Sequence, residues 1–178
     1  MSPGPPGSVT IVAGATGKLG RAIVARLLDG GHAVIGVSRG RAEALAGAPP
    51  AFEACRADLR DDGCTTALRA AIAGRPVAAV VNAAGAAQRG DVVEVQPEAI
   101  GALVDLKVGG LLRLVRAADP WLVDGSRIVA LGGRLGYDAD HRAAAAGVAN
   151  AAVANLVRQL AQAYGPRGVT AHVIAPGA

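Results

Sequence analysis

Residues 13–20 read Ala-Gly-Ala-Thr-Gly-Lys-Leu-Gly, so Gly14, Gly17 and Gly20 recur at every third position between an apolar run, Val9–Ala13, and an amphipathic stretch, Leu19–Leu28. Such a turn, with a strand before it and a helix after it, has the chemistry of a dinucleotide phosphate site. One glycine permits the tight turn, one lets backbone approach a pyrophosphate, and one lets the helix pack closely on the strand. The first amides of the helix and its positive end then face the phosphate. A strand-to-helix turn with no ligand shows the same pattern, and with 25 glycines in 178 residues the spacing alone does not separate the two.

Three further segments carry polar groups just after apolar runs. Ser38-Arg39-Gly40-Arg41 follows Ala33–Val37 and contains no carboxylate to grip a ribose 2′-hydroxyl. An arginine there suits a 2′-phosphate and favours NADP over NAD, with Lys18 in the glycine turn adding charge; the other reading of Arg39 is a solvated side chain at a helix start. Asp58, in Ala57-Asp58-Leu59, either accepts from an adenine amino group or caps the segment starting at Asp61. In Val81-Asn82-Ala83-Ala84-Gly85 the small residues leave space for a cofactor against the backbone, while Asn82 can instead brace neighbouring strands through its amide.

The elements that must position these residues follow from hydrophobic patterning. Val9–Ala13, Ala33–Val37, Phe52–Ala57, Val77–Val81, Arg127–Leu131 and Val169–Ile174 read as buried strands. Between them lie helical patterns: Leu19–Leu28, a short Ala42–Ala46, Thr65–Ala73 behind a capping Asp61-Asp62, Pro97–Ala118, and Ala143–Tyr164 stopped by Gly165-Pro166. Strict alternation predicts an α/β fold: a doubly wound parallel sheet of six strands in the order 3-2-1-4-5-6, helices on both faces, in three α/β/α layers. Residues 9–178 form one domain, and the Pro/Gly-rich residues 1–8 are expected to be a disordered arm.

Composition excludes several function classes. Phe, Tyr and Trp make up only 2% of the chain against 52% apolar residues in all, so the core is built from small aliphatic side chains and stacking platforms for nucleic acid are absent. The net charge of +4 is scattered along the chain, which argues against a nucleic-acid patch. Cys55 and Cys64 fit neither a zinc spacing nor a disulfide framework and read as free thiols in a reducing compartment, with no metal implied. No apolar run approaches the roughly 18 residues that span a bilayer. The expectation is a cytoplasmic protein.

Taken together, residues 13–20, Asp58-Leu59, Asn82-Ala83-Ala84-Gly85 and the run from Asn150 to Gly177 resemble the short-chain dehydrogenase/reductase family, and the resemblance covers everything after the arm. It implies a nicotinamide cofactor in a Rossmann fold, held by Gly14, Thr16, Gly17, Lys18, Leu19, Gly20, Ser38, Arg39, Asp58, Leu59, Asn82, Ala83, Ala84, Gly85, Pro176 and Gly177. It also implies a small-molecule carbonyl or alcohol substrate and a homodimer or homotetramer built through the two long helices. The family's proton-transfer set is a Tyr, a Lys four residues later, a Ser and an Asn. In register these fall on Ala146, Asn150, Gly133 and, on or near, Lys107, so none of the tetrad is retained.

Two residues remain as substitutes. Tyr137 and His141 repeat the four-residue spacing, although Asp138 and Asp140 beside the phenol would raise its pKa rather than lower it. Lys107 offers a cation or an electrophile towards a substrate oxygen, or is simply a helix lysine reaching solvent. His32 and His172 lie in strand patterns and read as structural. With its cofactor residues kept and its tetrad replaced, the chain is expected to be either an NADP(H)-dependent oxidoreductase with improvised chemistry or a non-catalytic dinucleotide-binding module. The sequence ends at Ala178, where the family continues into a lid and a seventh strand; the sixth strand is therefore expected as an apolar edge, of the kind that recruits a partner or aggregates, and either a C-terminal part is omitted from the sequence or association covers that edge.

Overall fold

A computed structural model of the chain describes residues 4–40, 50–86 and 90–177. Six strands, β1 (Val9–Ala13), β2 (Ala33–Ser38), β3 (Phe52–Arg56), β4 (Val77–Asn82), β5 (Leu122–Leu131) and β6 (Thr170–Ile174), form one sheet in the order β3-β2-β1-β4-β5-β6, with every pairing parallel. The sheet is the doubly wound Rossmann arrangement that the alternation predicted. Val9, Ile11, Val12, Ile35, Val37, Val77, Val80 and Ile128 are fully buried, and the central strands β1 and β4 are buried at every residue because helices cover both faces, while the edge strands β3 and β6 keep exposed residues.

The helices are α1 (Lys18–Asp29), α2 (Cys64–Ile72), α3 (Pro97–Val104), α4 (Gly110–Ala118) and α5 (Ala144–Tyr164). On one face Leu68 and Ile72 of α2, Leu111 and Leu114 of α4, and Val153 and Val157 of α5 join Ile11, Ile35 and Val80 in the larger core cluster. On the other face Val24 of α1 packs with Val12, Val34 and Val81. These aliphatic side chains carry the hydrophobic stabilisation, at about 1.5–3 kcal/mol for each fully buried large one.

The structure departs from the sequence reading at several points. The helix expected over Pro97–Ala118 is continuous in direction but contains a π turn, Asp105–Gly109, between α3 and α4. α-Helical periodicity runs through such an insertion, so patterning does not reveal it; π turns favour functional sites. β5 begins five residues earlier than expected, at Leu122. The added residues contain an irregularity inside the strand: Gly125 has φ +79°, and the register with β4 jumps between Val77↔Leu122 and Ala79↔Arg127. The Ser126 hydroxyl repairs the gap, donating to the Val77 carbonyl at 2.7 Å and accepting from the Val123 amide at 2.9 Å.

Asp61 and Asp62 do not cap α2 directly. The N-cap is Gly63, whose amide donates to the Asp61 carboxylate at 2.8 Å, so the carboxylate closes the turn ahead of the helix. Asp62 instead pairs with Arg113. The helix expected over Ala42–Ala46 lies outside the described residues, as does Arg41. Among the described residues no helix is long and apolar enough to cross a membrane.

Because Ser126 is buried and serves two backbone groups at the register jump, Ser126→Ala should lower stability by about 1–3 kcal/mol. Urea unfolding checks this as a lower midpoint with an unchanged slope.

Candidate functional site

The carboxyl ends of β1, β2, β3 and β4 converge on a cleft of about 220 Å³, at the point where the strand order reverses, which is where ligands bind in such sheets. Its wall brings together Gly14, Thr16, Gly17, Ser38, Arg39, Asp58, Leu59, Ala83, Ala84 and Gly85. All ten are residues that the sequence singled out for a cofactor.

The cleft exists because two backbone segments touch. Gly14 has φ +74°, and a Cβ on it would lie 2.8 Å from the Ala83 carbonyl and the Ala84 amide; a Cβ on Gly20 would lie 2.0 Å from the Gly14 carbonyl oxygen. Only glycine allows these approaches. Hydrogen bonds hold the turn: the Gly14 amide donates to the Val37 carbonyl at 2.9 Å, and the Gly17 amide to the Gly14 carbonyl at 2.9 Å. Helix α1 starts after Gly17 with no side-chain cap and no acidic residue in its first turn. Its leading amides and partial positive charge are therefore left for an anion. Lys18 and Leu19 stand in that first turn and are exposed. A backbone cradle without side chains, a helix start without a carboxylate and a neighbouring arginine fit the diphosphate of a dinucleotide.

Asp58 neither caps α2, which starts at Cys64, nor stands free. Its carboxylate pairs with Arg60 at 2.7 and 3.1 Å and accepts the Arg60 amide at 3.0 Å. Arg60 holds the Asp58 carboxyl down at about 2, with Arg39 adding to the pull. Arg39 and Asp58 also line a second cleft of about 480 Å³ together with Arg56. Asn82 is buried and braces more than strands. Its side-chain amide donates to the Lys107 carbonyl at 3.1 Å in the π turn, and its oxygen accepts from the Ala84 amide at 3.0 Å. The loop after β4 and the π turn are thereby locked together.

Beyond that loop lies a larger cavity of about 760 Å³, walled by Ala86, Gly133, Arg134, Ala146, Asn150, Pro176 and Gly177 among others. The β4 loop contributes Gly85 to the first cleft and Ala86 to this one, so the two lie on either side of a single loop. Pro176 and Gly177 belong to the larger cavity, where the Pro176 carbonyl accepts from the Arg134 amide at 3.3 Å.

The two substitute candidates part company. Tyr137 is 63% exposed and does not wall the cavity, and His141 pairs with Asp91 at 2.6 Å. Asp138 and Asp140 are themselves taken up by Arg134 and Arg142. Lys107 does not reach solvent as a free surface lysine: its Nζ donates to Asn150 Oδ1 at 2.6 Å, and burial lowers its pKa below the ordinary 10.5. Among the described residues no carboxylate pairs with it. This contact joins residues 43 apart on two helices, and no local pattern announces it. Sequence reasoning also missed Arg113, which ties the Leu59 carbonyl at 3.0 Å to Asp62 and Asp105 and so fixes the loop carrying Asp58.

A family model described as enoyl-(acyl carrier protein) reductase matches residues 14–178. No curated protein matches the sequence. Among solved structures, the chain is 30% identical to a short-chain dehydrogenase from Streptomyces avermitilis, with TM-score 0.87 over 96% of this chain and 66% of that one. It is 28% identical to a dehydrogenase/reductase from Sinorhizobium meliloti, with TM-score 0.85 over 96% and 72%. It is 27% identical to a short-chain dehydrogenase from Burkholderia cenocepacia solved in complex with NADP, with TM-score 0.85 over 97% and 74%. The chain thus spans about two thirds to three quarters of the length of these relatives.

Asp58 has a folded pKa of about 2 against an ordinary 3.8, so its ion pair stabilises the fold above about pH 4 and that contribution is lost as pH falls towards 2. The stability gap between the wild type and Asp58→Asn should be constant from pH 5 to 7 and close between pH 4 and 2. Chemical denaturation at each pH checks it.

Proposed function

Because the chain belongs to the short-chain dehydrogenase/reductase family, we propose that it binds NADP(H) in the cleft at the strand ends and acts as an oxidoreductase on a carbonyl/alcohol pair held in the adjoining cavity. The observation that carries this reading is the side-chain-free cradle at Gly14, Ala83 and Ala84, facing a helix start that bears no acid and lies beside Arg39. When bound, the nicotinamide supplies the hydride.

The chain's own residues bind and orient. The first amides of α1 take the diphosphate. Arg39, with Lys18 at the start of α1 adding charge, takes a 2′-phosphate through charge-assisted bonds, and no carboxylate in Ser38-Arg39-Gly40 competes for a 2′-hydroxyl. Asp58 and Leu59 border the adenine end of the cleft. Asn82 fixes the Ala83–Gly85 backbone, so the cofactor lies against an immobile wall. Self-association along the β6 edge, where Ile174 is exposed, and through the Ala-rich α5 goes with this reading.

One observation favours a second reading, a dinucleotide-binding module without catalysis. At Ala146 the cavity wall is a methyl group, with no hydroxyl there to exchange a proton. Calorimetric titration of NADPH and NADH, followed by NADPH oxidation with a panel of ketones, aldehydes and quinones, separates the two. Binding with turnover supports the oxidoreductase, binding without turnover the module, and no binding removes both.

Arg39→Ala should weaken NADPH by about 1–3 kcal/mol, roughly 5- to 150-fold, and leave NADH almost unchanged. Equal losses for the two cofactors would contradict the 2′-phosphate assignment.

A further inference from the structure

Lys107 and Asn150 form a joint device at the back of the larger cavity. An ammonium can only donate hydrogen bonds, so the Asn150 oxygen must be the atom that faces Lys107 Nζ at 2.6 Å. The orientation of the carboxamide is thereby fixed, and its Nδ2 points the other way. That nitrogen lies against Gly133, where an added Cβ would come within 2.6 Å of it. Asn150 is 7% exposed and forms part of the cavity wall, and Nδ2 has no hydrogen-bond partner among the described residues. Among the described residues the buried side-chain polar atom without a partner is Thr10 Oγ1, whereas Nδ2 keeps accessible surface at the cavity wall and is free to donate to whatever occupies the space before it. Gly133 and Ala146, the cavity-wall neighbours of Asn150, offer it no acceptor side chain.

Resting on the oxidoreductase reading above, we infer that Asn150 Nδ2 is the group that binds the substrate oxygen, and that Lys107 acts through it as a positioning residue. Lys107 holds the carboxamide in one orientation and draws charge towards Oδ1, which strengthens Nδ2 as a donor. As the carbonyl carbon takes up the hydride and the cofactor is left as NADP+, the C=O π pair moves onto oxygen. Asn150 Nδ2 holds that negative charge until a solvent water gives it a proton, yielding the alcohol and a hydroxide that passes back to bulk solvent.

The charged groups around Lys107 leave it alone. Of the elements packed on the π turn, α3 brings Glu98, α4 brings Arg113 and Arg116, and α5 brings Arg158. Arg113 is occupied by Asp62 and Asp105, and no carboxylate pairs with Lys107 among the described residues. Burial alone sets the direction of its pKa, downward. Reduction should therefore decline as pH rises through a value below 10.5, because neutral lysine no longer polarises the carboxamide.

The test uses NADPH and whichever carbonyl compound of the panel the wild type reduces best. Asn150→Ala should lose at least tenfold in kcat/KM with the NADPH Kd unchanged. Lys107→Met should lose a similar factor, Lys107→Arg should recover most of it, and the double variant should be no worse than the weaker single one, since the pair acts as a unit. The alkaline limb of the pH profile should vanish in Lys107→Met. Independently of turnover, the Asn150 side-chain amide resonance, assigned by its loss in Asn150→Ala, should titrate at alkaline pH in the wild type and not in Lys107→Met. Full activity of Asn150→Ala, multiplicative losses in the double variant, or an amide resonance indifferent to Lys107 would overturn the inference while leaving the oxidoreductase reading intact. NADPH binding with no turnover of any panel member would overturn that reading and this inference with it.

Discussion

At the end of β1 the chain turns left-handed at Gly14 and sets its α-carbon against the peptide joining Ala83 to Ala84, while Gly20 presses against the Gly14 carbonyl. No side chain fits at either contact. This double approach of backbone on backbone ties α1 to β1 and to the end of β4, and it opens the cleft that the strand ends surround. Parallel strands β1 and β4 are neighbours in the sheet but far apart in sequence, so the contact also requires the complete central sheet. A larger residue at Gly14 or Gly20 would push α1 away from the sheet and lose the helix start as an anion site.

A second layer of fixed contacts carries this geometry towards the larger cavity. Asn82 bonds both the backbone after β4 and the Lys107 carbonyl in the π turn, and Lys107 in turn holds Asn150 on α5. The π turn matters because one extra residue in the helical repeat changes which side chains face the sheet. Arg113, one turn beyond, clamps the Leu59 carbonyl and two carboxylates, which fixes the other rim. The two spaces share a loop, and their walls are set by partly buried hydrogen bonds rather than by bulky side chains, as suits a chain so poor in aromatics.

Much of this was legible in the sequence, for identifiable reasons. Gly14, Gly17 and Gly20 mark backbone requirements that no other residue meets, and the apolar runs of five or six residues are too short and too uniform for anything but buried strands. The strand order followed from the alternation of elements. Features that depend on tertiary pairing were not legible. The Lys107–Asn150 contact has no local signature. The π turn hides inside continuous helical periodicity, and the early start of β5 hides behind an irregularity at Gly125. Asp58 could be placed beside the cleft, but its partner Arg60 decided its state, and Tyr137 had the right spacing on a segment that turns it outward.

Residue-resolved amide hydrogen exchange with and without NADPH tests the central claim most directly, because it reads the cradle itself. The account predicts slower exchange on cofactor addition at the amides of residues 14–20 and 83–85. Unchanged exchange at both segments at saturating NADPH would contradict it.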